Sequence, residues 1–393
     1  MKTSEIKRRY RKYLQVRQDN DLYREILPIN IKDNRMLHYQ GKAYINFSSN
    51  DYLGLRQHSQ LKQRAIEWCQ TFGTGSGASR LVTGNLDVYE ALETKLANWK
   101  GYEAALIMST GYQCNASVLP ALFNKKTLGA EPMIFSDKLV HASMHTGCQA
   151  AGIKQIRFRH NDMDHLEELL EKHESSDQPK FILTESVFSM DGDTAPLADL
   201  YRLRDQYSAF LIVDEAHACG VLGARGEGIA DKAELVIGTF GKALGSFGAY
   251  VACTQDIKDY LVNSCAGLIY STGLPPAVLG AIDAALDLVP QMNFEREYLI
   301  KLSGHFRDQL KHLGLSYGSS NTQIVPVRFN DPQTTLQISK KLKDAGIWTH
   351  AIRPPTVPAN SSRIRFTISA SHHHEDIKII RDCFEIYAHK DVA

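Results

Sequence analysis

The sequence predicts an α/β protein: a large, mostly parallel seven-stranded sheet, a smaller α+β C-terminal domain and an N-terminal helical arm. Three observations predict it. Seven short apolar runs alternate with helical patterns between residues 104 and 253, one of the helical patterns carries an apolar stripe, and after about residue 290 the order of elements changes.

The elements follow in order. The start, "MKTSEIKRRYRKYLQVRQ", reads as an amphipathic helix with Ile6, Tyr10, Tyr13 and Leu14 on one face, within an arm of residues 1–45. A second helix is set by Val88, Leu92, Leu96 and Trp99, which recur at i, i+4, i+8 and i+11 and turn one stripe to the sheet. The strands are "AALIM" (104–108), "MIF" (133–135), "KQIRF" (154–158), "FILTE" (181–185), "FLIVD" (210–214), "LVIG" (235–238) and "AYVAC" (249–253), giving a sheet domain over 46–290. From 291 to 393 the pattern is a helix (294–313), a strand "QIVPVRF", a helix (335–345), a strand "RIRFTIS" and a last helix (375–389).

Composition narrows the function. Lys and Arg number 45 against 44 Asp and Glu, so no chain-wide field favours nucleic acid or an anionic membrane, and a small-molecule partner is expected. The seven cysteines are scattered without C-x-x-C or metal-ligand spacing, which predicts reduced thiols and no metal site. The basic N-terminus lacks the apolar run of a secretion signal, and no stretch approaches the roughly 18 apolar residues of a membrane span. A cytoplasmic enzyme is the expectation.

One lysine, Lys242 in "LVIGTFGKALGSFGAY", sits among glycines and small residues. It is no P-loop lysine, because Ala243 follows it and Gly238 has the wrong spacing. "FGTGSGASR" (72–80) lacks the GxGxxG spacing of a dinucleotide site, "HHH" (372–374) reads as a solvated helix start, and "DGD" (191–193) as a turn.

Asp214 ends a buried apolar run and alone would read as a cap; His217 alone would read as structural. Together with Lys242 they make the set that pyridoxal 5'-phosphate (PLP) requires. A carboxylate keeps the pyridine nitrogen protonated, a histidine bonds the phenolic oxygen, and a lysine amine attaches the cofactor.

Eight ordered segments, "NFSSNDYLGL", "GSGASR", "STGYQCN", "DKLVHASM", "ESVFSMDGD", "VDEAHACGVLG", "TFGKALG" and "IYSTGLPP", resemble the α-oxoamine synthases, PLP enzymes of fold type I, over nearly the whole chain. The resemblance implies that Lys242 carries the Schiff base, Asp214 pairs with the pyridinium, His217 and Ser189 contact the phenolic oxygen, and His141 stacks on the ring. It implies phosphate contacts from Gly111, Tyr112 and Thr239, with Ser271 or Thr272 reaching over from a second subunit of a homodimer with shared sites. Asn50 and Arg365 resemble the groups that hold the amino-acid carboxylate, Arg353 and Thr356 resemble acyl-substrate contacts, and Arg24, with the register anchored on Pro28, resembles the family's N-terminal substrate arginine.

The segment "AIRPPTVPANSSRIRFTISASH" (351–372) is most similar to the branch that joins L-alanine to a pimeloyl thioester in biotin biosynthesis, with the acyl group carried on coenzyme A or an acyl carrier protein. Other members, such as a glycine C-acetyltransferase or an autoinducer ketone synthase, share the core segments. A non-catalytic PLP-fold partner subunit would be expected to lack Lys242, and an aminotransferase would need no thioester pocket.

Overall fold

The computed structural model describes residues 3–329 and 331–388. Two short strands, β1 (Met36–Tyr39) and β2 (Lys42–Asn46), precede seven that match the apolar runs: β3 (Ala104–Met108), β4 (Met133–Asp137), β5 (Gln155–Phe158), β6 (Lys180–Glu185), β7 (Ala209–Asp214), β8 (Leu235–Thr239) and β9 (Ala249–Cys253). Four more follow: β10 (Ile324–Arg328), β11 (Ile347–Trp348), β12 (Ala351–Ile352) and β13 (Arg363–Thr367). The chain divides into two units, one of Asn50–Ser189 with Asp193–Leu299, the other of the chain up to Ser49, Met190–Gly192 and the chain from Ile300 onward.

The first unit holds the seven-stranded sheet, in the order β3-β9-β8-β7-β6-β4-β5. β9 runs antiparallel to both its neighbours and the remaining pairs are parallel. Side chains alternate between the sheet's faces with period two, which explains why these runs are apolar throughout. Phe181, Leu183, Ile212, Leu235 and Ile237 pack into one core with helices 111–122, 142–150 and 255–264. Ile182, Leu211, Val213 and Val236 pack into another with helices 163–171 and 197–206. Of the helical stripe over Val88–Lys100, Leu92, Leu96 and Trp99 are buried.

Two glycines permit close approaches. A Cβ on Gly147 would lie 2.5 Å from the Asn115 carbonyl oxygen, so glycine lets helix 142–150 close on helix 111–122. On Gly238 it would lie 2.2 Å from the Tyr250 ring, its cross-strand partner.

The second unit contains the sheets β1-β2-β11 and β10-β13-β12. β2 pairs in parallel with β11 through Ile45 and Ile347, so the N-terminal segment shares a unit with the C-terminal elements instead of standing apart as an arm of residues 1–45. The N-terminal helix forms over Thr3–Asp19 and buries none of its residues; Tyr10, Tyr13 and Leu14 of its apolar face are exposed.

One expectation is overturned in this unit. His372 is not solvated: its ring stacks on Phe47, its Nε2 lies 3.1 Å from the Asn46 carbonyl oxygen and its Nδ1 accepts from the Ser369 amide. Burial pushes its pKa down to about 4, so it is a neutral core histidine, and the helix begins at His374.

In the first unit Glu215, just past β7, is fully buried with Lys100: their side chains lie 2.5 Å apart, and Glu215 also accepts from the Ile229 and Ala230 amides. Removing one partner strands a buried charge. Lys100→Ala is therefore expected to destabilise the protein by about 3–5 kcal/mol, measured by denaturant unfolding; a loss no larger than that of an exposed lysine would show the pair to be unimportant.

Candidate active site

Four neighbouring parallel strands of the first unit end in polar residues: Thr239 on β8, Asp214 on β7, Glu185 on β6 and Asp137 on β4. Carboxyl ends of strands are where open α/β sheets bind ligands. A cavity of about 190 Å³ is lined there by Gly111, Tyr112, His141, Asp214, His217, Thr239 and Lys242, all singled out in the sequence, together with Asn115, Ser143, Glu185 and Ala216.

Asp214 is buried and fully engaged. One oxygen accepts from Asn115 Nδ2 at 2.7 Å and the other from the Ala216 amide at 2.9 Å. Asn115 Nδ2 also lies 3.0 Å from Ser143 Oγ, which in turn is 2.7 Å from His141 Nδ1. A hydrogen-bonded chain thus runs from the central strand to His141, across the helix contact that Gly147 allows. Burial lowers the His141 pKa, Lys242 lowers it further and Asp214 opposes them; the ring is neutral at neutral pH.

Lys242 follows β8. Its Nζ lies 2.8 Å from His217 Nε2, and His217 Nδ1 lies 2.5 Å from the Tyr52 hydroxyl. That hydroxyl donates to Asn50 Oδ1 at 3.3 Å. Thr239 Oγ1 donates to the Gly248 carbonyl and accepts from the Gly241 amide, tying down the turn that carries the lysine. Gly111 opens helix 111–122, capped by Thr110 Oγ1, which accepts from the Gln113 amide, and the positive end of the helix dipole favours an anion there.

The family model for aminotransferase class I and II matches residues 42–383. The chain belongs to this family. Within it the chain is an α-oxoamine synthase, as its relatives and structural neighbours indicate. It is 56% identical over 339 residues to a protein of Paramagnetospirillum magneticum provisionally named 8-amino-7-oxononanoate synthase, covering 86% of each chain. It is 51% identical over 356 residues to the 8-amino-7-oxononanoate synthase of Gluconacetobacter diazotrophicus, covering 89% of each. Serine palmitoyltransferase from S. paucimobilis with bound PLP–myriocin aldimine matches with a TM-score of 0.90 at 25% identity, over 100% of this chain and 99% of that one.

Other sequence-predicted residues of this α-oxoamine synthase lie outside that cavity. Ser189 is buried in the loop after β6, and Ser271 Oγ accepts from Gln113 Nε2 at 2.6 Å. Thr272 pairs with Ser79 through a β-bridge. Arg24, Arg353 and Thr356 line a separate cavity of about 450 Å³ in the second unit, where Arg24 Nη2 donates to Thr356 Oγ1 at 2.9 Å. Arg353 donates to the Asp21 carbonyl; burial lowers its pKa, and the neighbouring Arg24 charge lowers it further. Arg365 is buried on β13 and donates to Thr367 Oγ1.

Sequence reasoning missed Asn115, Ser143, Tyr52 and Glu185. All four lie in segments that carry the family resemblance, but the partners that give them meaning are set by strand order.

His160, also missed, clamps the loop that bears Ser189. Its Nε2 lies 2.9 Å from Asp193 and its Nδ1 3.1 Å from Asp137 at the end of β4. Burial alone would depress its pKa, but the two carboxylates outweigh it and raise it to about 9. A raised folded-state pKa contributes stability that is complete below the ordinary value near 6.5 and lost as pH climbs through about 9. Thermal unfolding from neutral to alkaline pH is expected to show that loss, and His160→Gln to be less stable at neutral pH and flat across the window; an unchanged pH dependence in the variant would refute the clamp.

Proposed function

We propose that this α-oxoamine synthase condenses L-alanine with a pimeloyl thioester, releasing carbon dioxide and free thiol, the reaction of 8-amino-7-oxononanoate synthases in biotin biosynthesis. The observation that carries the reading is 51% identity over 356 residues with the relative of that name, against 25% with serine palmitoyltransferase. The backbone likeness to the latter reports the common fold.

The cavity fits PLP on its own chemistry. An engaged carboxylate, an amine, a neutral histidine and a helix N-terminus converge on it, matching the ring nitrogen, aldehyde, ring face and phosphate of the cofactor. When bound, PLP supplies an electron sink that stabilises negative charge at the substrate Cα.

The chain's own residues do the rest. Lys242 Nζ would hold the cofactor and serve as the base for the Cα proton. Asp214, fixed by Asn115, would favour the protonated ring nitrogen; His217 and Ser189 would hold the phenolic oxygen. His141, neutral, would lie against the ring and orient the acyl carbonyl. Gly111, Tyr112 and Thr239 would receive the phosphate. By the resemblance Asn50 and Arg365 are assigned to the alanine carboxylate and Arg353 and Thr356 to the acyl chain; the two guanidiniums of Arg24 and Arg353 in one cavity suit the free carboxylate of a pimeloyl group.

A homodimer with shared sites is part of this reading. Leu81, Val82 and Tyr270 are 52%, 73% and 84% exposed, on the two segments that the Ser79–Thr272 bridge joins. Apolar surface of this kind, beside Ser271 and Thr272, suits a second copy whose phosphate site these residues complete. The acyl group arrives on coenzyme A or an acyl carrier protein, in the cytoplasm.

The decisive assay supplies the purified protein with PLP, amino acids and a panel of acyl thioesters, following thiol release and identifying the ketone by mass spectrometry. L-Alanine with the pimeloyl thioester is expected to be preferred; preference for serine with a long acyl chain, or pyruvate formation, would overturn the reading. Lys242→Ala is expected to lose the visible absorption of bound PLP and to lower turnover by at least about 10²–10⁴-fold, the usual worth of a general acid-base group. Asp214→Asn should still bind PLP but turn over slowly, and undiminished turnover would remove Asp214 from the mechanism.

A further inference from the structure

Glu185 is the last residue of β6, 2% exposed, and it lines the same cavity as Lys242. It stands in register beside Asp214 on β7. Unlike Asp214, it is incompletely satisfied: its Oε1 is buried without a hydrogen-bond partner. The backbone N–H groups of His141 and Ser189 bear on the carboxyl, and both belong to loops that carry residues of the proposed site.

Two anions side by side at buried strand ends repel, and an ionised oxygen with no donor is expensive to bury. Asp214 has Asn115 and the Ala216 amide to hold its charge, so the cost falls on Glu185. Burial first, and Asp214 second, raise its pKa well above the ordinary carboxyl range; Lys242 opposes them, and its effect is smaller.

We propose that Glu185 is a positioning residue held as the uncharged acid, fixing the His141 and Ser189 loops through their backbone amides and turning an O–H donor into the cavity, with Asp214 left as the anion. The inference rests on PLP being the occupant, and deepens that reading. Neutral Glu185 leaves the charge of Asp214 undivided for the ring nitrogen, and its proton is available to an acceptor oxygen of the bound group.

The test separates this proposal from the function it rests on. In the cofactor-free protein, infrared spectroscopy at a pH well above the value of about 6 to which buried Asp51 is raised should show a protonated-carboxyl band, shifted in D2O and absent from Glu185→Gln. No such band in the wild type overturns the proposal, even if no variant folds. PLP titration then distinguishes the neutral from the charged form: Glu185→Gln should bind within about threefold of wild type, and Glu185→Ala about tenfold more weakly, as loss of a buried acceptor implies.

The facing groups are Asp214, Lys242 and His141, so the alkaline limb must be assigned by substitution. Wild-type affinity should fall at alkaline pH as Glu185 ionises, and Glu185→Gln should lack that fall. A Gln variant as weak as Ala, or one keeping the same alkaline limb, overturns the proposal. Failure of wild type to bind PLP would instead refute the function, leaving the infrared result standing.

Discussion

The site depends on one constraint: the central sheet is covered on both faces, so its strands admit polar residues only where they end. Asp137, Glu185, Asp214 and Thr239 close β4, β6, β7 and β8, four adjacent parallel strands, and all four are buried. Each must then be satisfied locally. Asp137 takes His160, Asp214 takes Asn115, and Thr239 takes the Gly248 carbonyl and the Gly241 amide. One step further along the chain, Glu215 takes Lys100. Asn115 and Lys100 come from helices 99 and 115 positions away, whereas Thr239 is satisfied within its own turn, so satisfying the strand ends is also what orders the loops around the cavity. Glu185 alone in this row keeps an oxygen with no partner, which is why it carries information about what binds.

The sheet was legible because its physics is local. A strand buried on both faces must be apolar at every position, and seven such runs stand out from a chain of ordinary composition. Asp214, His217 and Lys242 were legible because they follow directly on two of those runs. Asn115 and Glu185 were not, since their meaning lies in β6 and β7 being neighbours and in helix 111–122 lying close enough to β7 to bond its last residue. His372 was misread for the same reason. Nothing near it in sequence announces Phe47 or the Asn46 carbonyl, 326 positions away. The N-terminal segment was set apart because β2 is short, and its pairing with β11 is visible only once both are placed.

The hydrogen bonds around Lys242 also fix a direction for its protons. A lysine ammonium can only donate, so His217 Nε2 must accept from it, and the ring proton then resides on Nδ1. Nδ1–H donates to the Tyr52 oxygen, whose own proton goes to Asn50 Oδ1, an acceptor with no proton to offer. Along these three hydrogen bonds the chain Lys242–His217–Tyr52–Asn50 has one consistent orientation while the lysine is charged. Deprotonating Lys242 gives its nitrogen a lone pair and removes the reason for His217 to remain an acceptor at Nε2. The imidazole is then free to carry its proton on the cavity side, where a phenolic oxygen would meet a donor. Nδ1 then accepts from the Tyr52 hydroxyl, which turns its proton from Asn50 to the ring, so the tautomer of His217 follows the charge on Lys242.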